Sequence, residues 1–131
     1  MASPNLNAVC KDGAALHMPV LEPLFASLRP AFVEEADEIC ISARLGDDWA
    51  KDLVMQYSKH GRLVELAPHT DFHPFVCSSR IRILAGIPIQ PVAGTQTGQI
   101  RVNYGGRCLD VSVRITLQGD RETIVLVPLW K

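Results

Sequence analysis

Residues Gln99–Ile115 read QIRVNYGGRCLDVSVRI. Two alternating runs flank Gly105-Gly106, a pair suited to a two-residue type I′ turn because both central positions need positive φ. Folding the chain there sets Tyr104 opposite Arg107, Val102 opposite Leu109 and Ile100 opposite Val111. With Val113 and Ile115 these residues form one mostly apolar face. Arg101, Asn103, Cys108, Asp110, Ser112 and Arg114 form the other. The same register places Arg101 across from Asp110, an opposite-charge pair worth about 0.2–1 kcal/mol. A slip of one residue would expose the whole apolar set, so turn chemistry, alternation and charge all select one pairing.

The chain is 131 residues long, enough for one compact domain. It is 47% hydrophobic and 21% charged, ordinary for a globular protein. A formal net charge of −1 supplies no field that would draw nucleic acid or an anionic membrane. No apolar run is long enough to span a bilayer, and residues 1–7 lack a signal peptide's apolar core. The expectation is a cytoplasmic protein with no membrane insertion. Four cysteines, at 10, 40, 77 and 108, are widely spaced with no CxxC. They are expected to be reduced thiols in or near the core, with no metal site.

Residues 1–13 show little periodicity and read as a flexible leader to a single domain over 14–131. From Ala14 to Ala36, Leu16, Val20, Leu24, Leu28 and Phe32 recur every four residues, which predicts a helix with Leu21, Phe25 and Val33 flanking its stripe. Pro19 and Pro23 suit a first turn, whereas Pro30 should kink or split the helix near Leu28. Glu38–Ala43 alternates and predicts a strand. Arg44–Asp52 reads as a loop or helical turn. Leu53–Tyr57 and Arg62–Leu66 predict a hairpin about Lys59-His60-Gly61. A second helix is expected from a cap at Thr70 or Asp71 to Gly86, with Phe72, Phe75, Val76, Ser79, Ile83 and Leu84 on its apolar stripe. Arg80 and Arg82 then lie off that stripe. Residues 87–98, with two prolines and two glycines, predict an irregular connection. A turn at Gln118-Gly119-Asp120 leads to a last strand, Thr123–Leu129, apolar enough to be central. Antiparallel strand pairs with two helices on one face define an α+β domain.

The residues that could carry chemistry do not assemble into a recognisable machine. Gly94–Gln99 (GTQTGQ) has the glycines of a phosphate loop but lacks the Lys-Ser/Thr ending, and a strand follows it. His69 and His73 are four apart without a third ligand nearby. Ser78 and Ser79 have no partner His and Asp at recognisable positions. Asp47-Asp48 reads as a solvated loop. Arg80, Arg82, Arg101, Arg107 and Arg114 could make an anion-binding face. No catalytic or metal-binding residue and no cofactor is expected.

The hairpin also resembles the "GRIxLRxGGRxVDxRVS" segment of bacterial type II secretion and type IV pilus assembly ATPases. Further motifs follow in the same order over residues 14–131. Ala36–Cys40 is similar to "ASDIH", Leu53–Leu63 to "VRFRIDGxL", and Ser79–Arg82 to "SRIK". Gln96–Ile100 stands where the family has "QDGRI", and Glu122–Leu129 is similar to "ERVVLRLL".

The resemblance implies a PAS-like antiparallel sheet of about five or six strands with two main helices packed on it. In that family the domain precedes the nucleotide-binding domain and packs on the ATPase of a neighbouring subunit in a hexameric ring. Its arginines help sense nucleotide phosphates across the boundary. Here Pro91, Val92 and Ala93 replace an acidic-and-arginine run, Thr97 and Gln99 replace the Asp and Arg of "QDGR", and Cys40 replaces a His. No P-loop is present. The expectation is a non-catalytic domain that docks on protein partners of a secretion or pilus machine through a surface bearing Arg80, Arg82 and Arg101. The alternative is a PAS-like small-molecule sensor.

Overall fold

A computed structural model describes residues 6–8, 22–44, 53–68, 74–88 and 93–130. The elements in order are β1 (Leu6–Ala8), α1 (Glu22–Val33), β2 (Glu38–Arg44), β3 (Val54–Lys59), β4 (Arg62–Glu65), α2 (Pro74–Ala85), β5 (Gly94–Tyr104), β6 (Arg107–Gln118) and β7 (Arg121–Pro128). They form one antiparallel sheet in the order β1-β5-β6-β7-β2-β3-β4. The α+β architecture is as the sequence predicts.

The β5–β6 hairpin has the expected register. Tyr104 pairs with Arg107, Val102 with Leu109, Ile100 with Val111 and Arg101 with Asp110. Gly105 and Gly106 have φ of 58° and 86°, the left-handed values the turn demands. The Asn103 side-chain oxygen accepts the Gly106 N–H at 3.0 Å and closes the turn. Ile100, Val102, Leu109, Val111, Val113 and Ile115 are all buried. Each such side chain contributes roughly 1.5–3 kcal/mol by leaving water.

Both helices lie on that buried face. Leu24, Leu28 and Phe32 of α1 and Ile81 of α2 join one cluster with Ile39, Ile41 and the hairpin residues. The nearly continuous apolar run of β7 is central, between β6 and β2. α1 ends in a Schellman motif: Ala36 N–H donates to Ala31 O at 2.9 Å and Glu35 N–H to Phe32 O at 3.0 Å. The left-handed position is held by Glu35, with φ of 52°, rather than by glycine. α2 ends the same way at Gly86, where Ile87 N–H donates to Arg82 O at 2.8 Å.

Several expectations are corrected. The leader is not wholly irregular, because Leu6–Ala8 pair with Val102–Tyr104 as β1. Pro30 does not split the helix; α1 runs through it to Val33. The burial of Leu28, Ala31 and Phe32 on either side of Pro30 offsets the lost hydrogen bond. Val33 is 51% exposed and does not flank the apolar stripe. Residues 94–98 are strand, paired from Gly94–Leu117 to Gly98–Val113, because β6 is long enough to template them. The β3–β4 turn narrows to His60-Gly61.

The expected helical segment over Ala14–Leu21, the Asp47-Asp48 loop, the Thr70 or Asp71 cap with Phe72, and the side chains of Phe75 and Val76 lie outside the described residues. No helix among the described residues is long and apolar enough to cross a membrane.

Candidate functional site

α2 is turned relative to its predicted face. Ser78, Ile81 and Arg82 are buried, whereas Ile83 is 47% exposed. On its buried side α2 meets Glu122 of β7. Its position, in step with Ile124 and Leu126, points it into the core. A buried carboxylate needs charge and hydrogen-bond partners. Arg82 Nη2 donates to Glu122 Oε2 at 2.6 Å and Ser78 Oγ donates to Glu122 Oε1 at 2.5 Å. Arg82 Nη1 donates to Gln96 Oε1 at 2.8 Å and reaches Pro88 O at 3.3 Å. One guanidinium thus ties α2, β5, β7 and the chain after α2 together.

This network corrects the expected partner surface. Arg82 is 2% exposed and bound to internal partners, so it is not part of an exposed surface. Arg80 is exposed on α2, on the helix side of the sheet. Arg101 sits on the opposite face, 3.2 Å from Asp110. That pair is half-exposed and contributes about 0–1 kcal/mol. Arg114 shares the open face with Arg101, while Arg107 stands at the hairpin tip. The five arginines therefore form no single anion-binding face.

Gln96 and Glu122 are the residues sequence reasoning missed. Glu122 left a trace, since alternation with Ile124 and Leu126 makes it the one acid on the core side of β7. Gln96 left none, because residues 94–98 lack alternation. Gly98 in the same segment is required by a close approach. A Cβ there would fall 2.5 Å from Ala85 O and 2.9 Å from Ala85 Cβ. The glycines that resemble a phosphate loop belong instead to a strand under the end of α2.

Among the described residues three surfaces stand out for recognition. The first is the sheet face away from the helices, where Val125 and Val127 lie in the centre and Arg101, Asp110, Ser112 and Arg114 beside them. No described helix covers it. The second is a groove of about 370 Å³ on the flank of α1, lined by Ala26, Arg29, Pro30, Val33, Glu34 and Tyr57. The third is the outer edge of β4, where Leu63 is 67% exposed.

Cys40 is half-buried and Cys108 exposed. Burial first, and the nearby Glu38 carboxylate second, push the Cys40 thiol pKa up. Among the described residues no three His, Cys, Asp or Glu side chains come together. His69, His73 and Cys10 lie outside the described residues, as does the side chain of Cys77.

No protein-family model and no curated protein matches the chain.

Proposed function

We propose that the chain is a non-catalytic docking domain of the PAS-like kind that precedes the nucleotide-binding domain in secretion and pilus assembly ATPases. It binds a protein subunit of such a machine in the cytoplasm. The observation that carries this reading is the division of labour among its polar residues. The arginine nearest the family's phosphate-facing run, Arg82, is a buried strut. The sheet face and sheet edge that no described element covers offer main-chain and apolar contacts suited to protein. A small-molecule sensor is the second reading. The α1 groove of about 370 Å³ supports it, being within the range of ligand pockets.

The test is affinity purification of the tagged full chain from its own cells, followed by native mass spectrometry. A stoichiometric secretion- or pilus-type subunit is the expected result. A chain that emerges alone with a small molecule bound sinks the docking reading in favour of the sensor.

A further inference from the structure

We draw no further inference here: the strongest candidate, the groove on the flank of α1 that Arg29, Glu34 and Tyr57 help to line, carries nothing beyond the small-molecule reading, because Arg29 and Glu34 set opposite charges in it and nothing in the structure shows what fills it.

Discussion

The Arg82 guanidinium meets the Glu122 carboxylate at 2.6 Å with side-chain exposures of 2% and 7%, joining α2 to the central strand of the sheet. Removing one partner leaves the other buried and uncompensated, which costs about 3–5 kcal/mol. Arg82→Met and Glu122→Leu are each expected to lower the free energy of unfolding in urea by about that amount. The double variant should lose clearly less than the sum, because no orphan charge remains. A salt bridge of surface character would instead show two small, additive effects.

That pair also marks the limit of what a linear reading reaches. The β5–β6 hairpin was legible because its turn glycines, its alternation and the Arg101–Asp110 pair are all local and all agree. The face of α2 was not. An arginine is seldom fully buried unless paired, and its partner lies 40 residues further along the chain. Residues 94–98 look like loop because Thr95, Thr97 and Gly98 carry no apolar alternation. Their strand character comes from the long partner β6, and Gly98 from contact with α2. β1 is three residues long and leaves no periodicity to read. The candidate site suffers most: Arg80, Arg82 and Arg101 are grouped by residue type in the sequence, but in the fold Arg80 is exposed, Arg82 is buried beneath the same helix and Arg101 lies across the sheet.

Gly98 gives the second test. Its backbone is not in the left-handed region, so conformational freedom is not the reason for glycine there. Gly98→Ala would press a methyl group onto the Ala85 carbonyl at 2.5 Å, a contact that backbone on both sides must move to relieve. Overpacking of this kind costs typically ~1–3 kcal/mol. The expected result is a lower urea midpoint with an unchanged slope. A midpoint equal to that of the parent would mean that α2 does not press on β5 in solution.

The C-cap of α1 offers the opposite sign. Glu35 holds a left-handed φ of 52°, a conformation that costs a residue with a Cβ about 1–2 kcal/mol. Its side chain is exposed, and its backbone carbonyl accepts Lys59 Nζ at 2.9 Å whatever side chain it bears. Glu35→Gly relieves the strain and gives back part of the gain through the looser unfolded chain. A net stabilisation of about 0.5–1 kcal/mol is expected in thermal or urea unfolding. Destabilisation would show that the helix does not end at Glu35 in this way.

Thiol chemistry separates the two sides of the sheet's open face. Cys108 is exposed near the hairpin turn, whereas Cys40 is half-buried in β2 with its pKa raised by burial and by Glu38. The thiolate is the reactive form, so a raised pKa and poor access act in the same direction. In a chain carrying Cys10→Ser and Cys77→Ser, a maleimide at neutral pH should modify Cys108 first and Cys40 at least tenfold more slowly. The sign with pH follows. The folded state holds the Cys40 proton more tightly than the unfolded chain, so the stabilisation linked to that proton is full below the ordinary thiol pKa. It is lost as pH rises through the raised value. Urea unfolding should therefore show stability falling in the alkaline range, and Cys40→Ala should flatten that fall. Equal labelling rates for the two thiols, or an alkaline slope unchanged by Cys40→Ala, would contradict the placement of Cys40 beside Glu38 on a covered part of β2.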